Sequence, residues 1–302
     1  MNTELGAFFP PTDITTERHN PFRVTSNQSE AELRLRALFV SVYDPLILAA
    51  FDRKILRMTP SEVAEKAETL RAQGSVVLPG LFPLSQVEWA RELVLGNLAC
   101  LKQTRPHPSA RHLAGFHRYP DLEPLHTWIS GNAQILEVLG AASGAGRLRS
   151  IGLSDITVNR SQAWHVDLLR GKYQHHLTTD LCWGAEGGGV YKALVYLQAG
   201  KSLKIVPGAH VVPRSLDKDS ASEPADAALI QSLFVEAGDV ILMDIRLPHC
   251  GSSEEELART VYLGGPQKIL LSTVLGAHHR SLTRAMEIGN FARLQDWDAA
   301  HP

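Results

Sequence analysis

The sequence predicts a mainly β domain with helices packed outside the larger sheet. From about residue 147 onward, short apolar runs rich in β-branched and aromatic residues alternate with turn residues, a pattern typical of buried strands. The clearest runs cover 190–198, 203–210, which ends in a Pro-Gly turn, and 240–244. Earlier in the chain the apolar residues recur at helical spacing instead. The chain is therefore expected to form helices first, then strands, and one last helix.

Specific residues mark the ends of the first predicted helix. Thr59, Pro60 and Glu62 supply a hydroxyl cap, a proline in the first turn and a glutamate that completes a capping box. The helix should end near Gln73, because Gly74 follows it. Further helices are predicted over 87–98, 122–139 and 280–294.

Length and composition fit one globular domain. The 302 residues are predicted to form a single domain, in which 1–58 is an amino-terminal arm or lid and 59–302 is the β core with its packed helices. The formal net charge is −2 and the basic residues are not clustered, which argues against nucleic acid or an anionic membrane as a partner. The sequence leaves the oligomeric state open.

Cysteine usage and the amino terminus favour a cytoplasmic location. Cys100, Cys182 and Cys250 are odd in number and widely spaced, which argues against a disulfide framework and for a reducing compartment. Residues 1–11 lack the basic region and long apolar run of a secretory signal. No stretch approaches the length of a transmembrane helix. We therefore expect the protein in the cytoplasm.

The most informative motif is the pair His165 and Asp167, taken together with the distant His249. Residues two apart in a strand point to the same face, so this imidazole and carboxylate can bind one metal ion. A second histidine completes the facial triad of non-haem Fe(II) oxygenases, which leaves the opposite positions open for cosubstrate and oxygen. With 13 histidines in the chain, roughly one His-x-Asp spacing is expected by chance. The order of the surrounding motifs is therefore what supports the interpretation.

That order resembles the phytanoyl-CoA dioxygenase-like family of Fe(II)/2-oxoglutarate-dependent oxygenases. The matching pieces are Gly74-Ser75-Val76-Val77-Leu78-Pro79-Gly80-Leu81, the His-x-Asp pair, Tyr196-Leu197-Gln198, Pro207-Gly208-Ala209-His210, Gly238-Asp239-Val240, His249 and Arg259. The resemblance implies a double-stranded β-helix, a cupin-like jelly roll, with the metal ligands near its open mouth.

The resemblance also implies cofactors and roles for five residues. The Fe(II) ligands would be His165, Asp167 and His249. Arg259 would bind the distal carboxylate of 2-oxoglutarate, for which the parallel N–H groups of a guanidinium are well shaped, and Trp183 would lie beside this cosubstrate. The implied enzyme uses O2 and 2-oxoglutarate, releases succinate and CO2, and oxidises a C–H bond of a small-molecule metabolite.

The sequence departs from the family pattern at two positions. Gly251 stands where the family commonly has a serine two residues after the distal histidine, and Ala209 replaces the serine of the Pro-Gly-Ser-His turn. The first departure removes one expected hydroxyl contact to 2-oxoglutarate. Asp167 favours hydroxylation over halogenation, because halogenating relatives carry a small residue there so that chloride can bind. Desaturation, ring closure and epimerisation use the same triad and stay open.

Two other functions remain compatible with these residues. One is a non-catalytic jelly-roll protein that binds or senses a ligand, and the other is a cupin-type metal enzyme that does not use 2-oxoglutarate, which would leave Arg259 without a role. Lys192 interrupts an apolar strand and is expected to turn to solvent rather than into the barrel. Substrate specificity is expected from the loops over 1–58, 105–125, 168–182 and 213–228.

Overall fold

The computed structural model describes residues 57–105, 107–216, 224 and 226–301. Contacts within the chain divide it into Met1–Lys54 and Ile55–Pro302, and every described residue belongs to the second unit. The arm predicted over 1–58 lies outside the described residues except for its last two positions. No helix in the part that the structure describes is long and apolar enough to cross a membrane.

The larger sheet has seven antiparallel strands. In spatial order these are β1 (Ser75–Leu78), β8 (Val240–Asp244), β5 (Val190–Tyr196), β10 (Ile269–Ala277), β4 (Leu148–Val158), β3 (Arg111–Ala114) and β2 (Lys102–Gln103). A β-bulge between Thr273 and Leu275 shifts the register of β10 against β4, and such bulges bend a sheet and increase its twist. Strand β5 is flanked by β8 and β10, so its side chains point either to the outer helices or to the second sheet.

The smaller sheet has three antiparallel strands. In spatial order these are β7 (Gln231–Val235), β6 (Gly200–Ile205) and β9 (His249–Cys250). His165 extends this sheet by an isolated antiparallel bridge to His249. Both histidines of the predicted triad therefore lie on the same edge of the smaller sheet.

Seven α-helices flank the sheets in the described residues. They are α1 (Pro60–Gln73), α2 (Leu84–Gly96), α3 (Glu123–Ser130), α4 (Ala133–Ser143), α5 (Thr179–Trp183), α6 (Glu254–Arg259) and α7 (Ser281–Ala300). The predicted capping box of α1 is confirmed: Thr59 accepts a hydrogen bond from the Glu62 N–H, and the Glu62 carboxylate accepts one from the Thr59 N–H at 2.7 Å. Gly74 ends the helix at a φ of 78°, which only glycine adopts readily.

One predicted helix is wrong in its extent. The segment 122–139 forms two helices, α3 and α4, which are separated at Gly131 and Asn132. The Asn132 side chain accepts hydrogen bonds from the N–H groups of Gln134 and Ile135, so it starts a new helix instead of continuing the old one.

The core lies on both faces of the larger sheet. Ala193 and Val195 of β5 belong to the apolar cluster that includes the outer helices, whereas Leu194 and Tyr196 pack against the smaller sheet. Every residue of β5 is buried for this reason. A strand covered on both faces reads as a continuous apolar run, and the sequence of β5 is such a run apart from Lys192. We call the face that carries Leu194 and Tyr196 the inner face.

Candidate metal centre

His165 and His249 lie directly opposite each other in an antiparallel bridge. The His165 N–H donates to the His249 carbonyl at 2.8 Å, and the His249 N–H donates to the His165 carbonyl at 2.9 Å. Residues paired in this way place their side chains on one face of the sheet, and the two ring centroids are 4.1 Å apart. Both side chains are nearly fully buried. Backbone pairing thus joins two histidines that are far apart in sequence.

Both imidazoles present Nε2 to the space between them and Asp167. Nδ1 of His165 lies 2.8 Å from the Ala163 carbonyl oxygen, and Nδ1 of His249 lies 2.9 Å from that of Leu247. Because a carbonyl oxygen only accepts, each Nδ1 carries the proton and each Nε2 carries a lone pair. Metal-binding histidines usually make this second contact, which fixes the tautomer and the ring orientation.

Asp167 completes the cluster. Its N–H donates to the Ile245 carbonyl at 2.8 Å, which anchors the backbone next to the His165 bridge. Its Oδ1 lies 3.6 Å from His165 Nε2, and its Oδ2 lies 3.5 Å from His249 Nε2. The three potential ligand atoms lie within 4.8 Å of one another, and this is the one such group of histidine, cysteine and acidic residues in the described part of the chain.

Lys192 points into the barrel, so the expectation that it turns to solvent is wrong. It lies two residues before Leu194 on β5 and therefore shares the inner face. Its Nζ donates to Asp167 Oδ1 at 3.1 Å, and its side chain is only 9% exposed. The other oxygen, Asp167 Oδ2, is buried and has no hydrogen-bond partner among the described residues.

Burial and charge set the protonation states of the cluster. Burial, followed by the neighbouring His165, lowers the pKa of the His249 imidazole to about 3 despite the attraction of Asp167. Burial acts to raise the pKa of the Asp167 carboxyl, but the charge of Lys192 and the two histidines outweigh it and hold that pKa well below its usual value. At neutral pH the site therefore combines a neutral imidazole with an ionised carboxylate, the forms that bind metals.

The three residues fit a divalent metal ion. Two Nε2 lone pairs and one unpartnered carboxylate oxygen face the same space, and a cation there would satisfy the buried Oδ2. This donor set is that of the non-haem iron triad. The side-chain amide of Gln162 lies 2.7 Å from His165 Nε2 and donates to it. A metal at this nitrogen would replace that hydrogen bond.

Arg259 lies away from these three residues, on the surface. It is the last residue of α6, its side chain is 75% exposed, and it forms an ion pair with Glu255. The helix forms here because Ser253 and Glu256 make a capping box at its start. Arg259 therefore ends a helix, and β10 begins ten residues later in the sequence. This position does not support the predicted contact between Arg259 and 2-oxoglutarate.

Trp183 ends α5 and is half-buried. Its Nε1 donates to the His210 carbonyl at 3.0 Å, and the ring packs against the apolar cluster that contains Leu168 and Cys182. These contacts give the indole a structural role. Its predicted place beside the cosubstrate stays a prediction.

The sequence analysis missed a second basic group near the cluster. Lys268 precedes β10, and its Nζ donates to Ser252 Oγ at 2.8 Å. Gln162 links this pair to the histidines: its N–H donates to the Ser252 carbonyl at 3.2 Å, and its side chain reaches His165 Nε2. The sequence contains one signal for this group: Lys268 is the basic residue directly before the apolar run that forms β10.

Comparison with models of protein families finds no match, and comparison with curated proteins finds none either. Solved structures do match. The epimerase SnoN, determined with Fe3+, alpha ketoglutarate and nogalamycin RO, is 16% identical with a TM-score of 0.55, covering 72% of this chain and 84% of its own. The fold is a double-stranded β-helix.

Two further structures support this conclusion about the fold. HygX from Streptomyces hygroscopicus, with nickel and 2-oxoglutarate bound, is 19% identical with a TM-score of 0.51, covering 74% of this chain and 88% of its own. EctD from S. alaskensis, with 2-oxoglutarate and 5-hydroxyectoine, is 17% identical with a TM-score of 0.52, covering 75% of this chain and 81% of its own. The predicted jelly roll with flanking helices is thus confirmed.

Proposed function

We propose that this protein is an Fe(II)/2-oxoglutarate-dependent dioxygenase that oxidises a C–H bond of a small-molecule metabolite. The observation that carries the proposal is the buried triad His165, Asp167 and His249, with two Nε2 lone pairs and an unpartnered carboxylate oxygen directed at one space. When bound, the iron supplies oxygen activation coupled to decarboxylation of 2-oxoglutarate, with release of succinate and CO2. The carboxylate of Asp167 favours hydroxylation over halogenation.

Family and location are part of the same proposal. The order of motifs along the chain supports a place in the phytanoyl-CoA dioxygenase-like family. The three cysteines form no disulfide, which supports a reducing compartment such as the cytoplasm. Residues 59–302 are proposed as the catalytic domain.

In this proposal each residue of the triad has a defined task. The Nδ1 bonds of His165 and His249 to backbone carbonyls hold the two rings in place, so that only Nε2 is available to the metal. Lys192 occupies Asp167 Oδ1, which leaves Oδ2 as the ligand atom. The apolar residues of the inner face exclude water around the site.

We propose Lys268 and Ser252, in place of Arg259, as the groups that bind the distal carboxylate of 2-oxoglutarate. Lys268 lies two residues before Leu270, which pairs with Tyr196 on the inner face, and its Nζ is 5.8 Å from the centroid of the Tyr196 ring. An ammonium and a hydroxyl 2.8 Å apart offer two donors to one carboxylate.

The charge of Lys268 suits this role. Burial lowers the pKa of its ammonium to about 8, although Glu256 acts to raise it. The ammonium is therefore still charged at neutral pH, although Glu256 only partly offsets the cost of burying that charge. A bound carboxylate would stabilise it. Arg259, by contrast, is already paired with Glu255 and exposed to solvent.

An anaerobic titration tests the proposed function without a known substrate. Fe(II) and then 2-oxoglutarate are added to the metal-free protein, and the visible charge-transfer band of a chelated 2-oxo acid is recorded. The wild-type protein should develop the band, and His165→Ala and Asp167→Ala should not. The exposed His175 gives a matched control, since His175→Ala should leave the band unchanged.

Other outcomes of the titration would overturn the proposal. Iron binding without a band in a folded protein would favour a cupin-type metal enzyme that does not use 2-oxoglutarate. Absence of iron binding would favour a jelly-roll binding or sensing protein. A band in all four proteins would mean that the metal lies elsewhere.

A further inference from the structure

A group of buried polar atoms lies on β3, β4 and α7. His112 Nε2 and Asp155 Oδ1 are both buried, and neither has a hydrogen-bond partner among the described residues. They are 3.7 Å apart, which is an ion-pair contact when the imidazole is protonated but is longer than an ordinary hydrogen bond. Trp297 Nε1 is a third buried atom without such a partner, and its ring meets the His112 ring edge to face at 4.9 Å.

The strand register places these atoms on the inner face. Asp155 of β4 pairs with Ser272 of β10, and Ser272 pairs with Leu194 of β5. Paired residues in antiparallel strands share a face, so Asp155 lies on the same face as Leu194 and Lys192. Two strand spacings separate β4 from β5, about 10 Å. The cluster therefore lies on the inner face of the larger sheet, on the same side as Lys192, which contacts Asp167 of the triad.

The groups around Asp155 favour its ionised carboxylate, which can only accept hydrogen bonds. Burial acts to raise the pKa of its carboxyl, but His112, and then the charges of Lys192 and Arg293, outweigh burial and lower it. Its side chain is 16% exposed and that of His112 is 17% exposed, although the two facing atoms are buried.

Arg160 adds a donor near Asp155. It follows β4 and is half-buried. Burial lowers the pKa of its guanidinium, while Asp155 acts to raise it and Arg170 to lower it. Arg160 and Asp155 therefore influence each other's charge without forming an ion pair.

The set of unsatisfied groups selects one kind of ligand. Asp155 can only accept, whereas Trp297 and Arg160 can only donate. An anionic group would be repelled by Asp155, and an ammonium would be repelled by Arg160. A hydroxyl both donates and accepts without carrying charge, so neighbouring hydroxyls satisfy all of these groups. A purely apolar ligand would leave them buried without partners.

We propose that Asp155 and His112 form a substrate subsite that binds a hydroxyl group, so that the substrate is a hydroxylated metabolite. This inference rests on the proposed function, because it assigns the subsite to the substrate of that reaction. The hydroxyl donates to Asp155 Oδ1 and contacts His112 Nε2, and a second hydroxyl accepts from Trp297 Nε1 or Arg160. The C–H bond to be oxidised then belongs to the part of the substrate nearer the triad.

The test uses myo-inositol as a neutral polyol probe and inorganic phosphate as an anionic one. Each probe is titrated into the metal-free protein with indole fluorescence as the signal, and Trp297→Phe shows how much of the change comes from Trp297. We expect myo-inositol, and not phosphate, to change the emission of Trp297. Asp155→Asn should weaken inositol binding about tenfold, as loss of a hydrogen bond to a charged group does.

A second variant tests the subsite independently, in case Asp155→Asn does not fold. His112→Phe removes Nε2 but keeps a ring that can pack against Trp297, and it should also weaken inositol binding. Glu88→Gln, an exposed position on α2, is the matched control and should bind the probe like the wild type.

Several results would overturn the proposal. These are no response to myo-inositol, a response to phosphate instead, or equal inositol binding by wild type and Asp155→Asn. The fluorescence titration needs no metal, so it separates this inference from the proposed function. Inositol binding without a charge-transfer band would retain the subsite and reject the dioxygenase, and the reverse result would reject the subsite alone.

Discussion

Lys192 donates a hydrogen bond to Asp167 Oδ1 at 3.1 Å inside the barrel, where the two side chains are 9% and 10% exposed. The bond decides which oxygen of the carboxylate is left for a metal. It also means that the metal-free protein already contains a buried ion pair at the centre of the site. Removal of one partner of such a pair leaves an uncompensated charge.

Lys192→Met should therefore destabilise the metal-free protein. Breaking a buried pair costs about 3 to 5 kcal/mol, and a divalent metal would then supply the missing positive charge. We expect a lower Tm without metal and a larger rise in Tm on addition of Ni(II) than the wild type shows. Lys204→Met is the control, because Lys204 pairs with Glu256 in a site that is 35% exposed. Equal Tm values for wild type and Lys192→Met would contradict the prediction.

Lys268→Met should weaken 2-oxoglutarate binding. Loss of a hydrogen bond to a charged group corresponds to about a ten- to hundredfold rise in Kd. The measurement is the 2-oxoglutarate dependence of the charge-transfer band at saturating Fe(II). Arg259→Met should leave the Kd unchanged, because Arg259 is exposed and paired with Glu255. A large effect in Arg259→Met and none in Lys268→Met would restore the role that the sequence predicted for Arg259.

Binding of 2-oxoglutarate should weaken at alkaline pH. The pKa of Lys268 in the folded protein is lowered to about 8, mainly by burial, so the ammonium loses its proton as the pH rises through that value. Above it, the Kd should rise by up to about tenfold per pH unit. Lys268→Arg keeps its charge throughout this range and should show a flat profile. A wild-type Kd that does not change up to pH 10 would exclude Lys268 as the anchor.

Acid should destabilise the protein through His117. Burial, followed by the charges of His126 and Arg118, lowers the pKa of His117 from 6.5 to about 4. Between these values the unfolded chain binds a proton that the folded protein does not, so stability falls as the pH drops from about 6.5 to about 4 and is unaffected above 6.5. His117→Gln should flatten this part of the pH profile of the unfolding free energy. The exposed His175 provides the control, since His175→Gln should retain the wild-type slope.

Gly238→Ala should destabilise the turn before β8. Gly238 has a φ of +94°, and a Cβ there would lie 2.1 Å from the Phe82 carbonyl oxygen. Gly80 also has a positive φ, but nothing lies within 4 Å of its added Cβ. Gly80→Ala should therefore show only the conformational cost of about 1 to 3 kcal/mol, and Gly238→Ala should exceed it. Denaturant unfolding measures both, and similar losses would show that the turn can shift away from Phe82.

Local signals explain the parts of the fold that were predictable from sequence. The cap of α1 depends on residues three positions apart, and the run that forms β5 is apolar because both of its faces are covered. The same locality explains the residues of the candidate triad. The His-x-Asp spacing predicts two side chains on one face, although which distant residue joins them depends on strand pairing.

The chain path between motifs decides positions that spacing alone does not predict. The capping box of Ser253 and Glu256 forms α6, which carries Arg259 to the surface. Lys268 then enters the inner face directly before β10, in a position that spacing from His249 does not predict. Lys192 was misassigned for a related reason: only the register of β5 against β8 and β10 shows which of its faces meets the smaller sheet.

By itself, the sequence determined the mainly β fold with its flanking helices and the residue types able to bind a metal, because strand periodicity, helix caps and ligand chemistry are properties of neighbouring residues. The tertiary structure decided which polar groups come together. The opposition of His165 and His249, the bond from Lys192 to Asp167 and the pair of Asp155 and His112 all depend on strand register. Strand register brings together residues that are distant in sequence. Contacts of this kind have no characteristic spacing along the chain, so the sequence alone does not predict them.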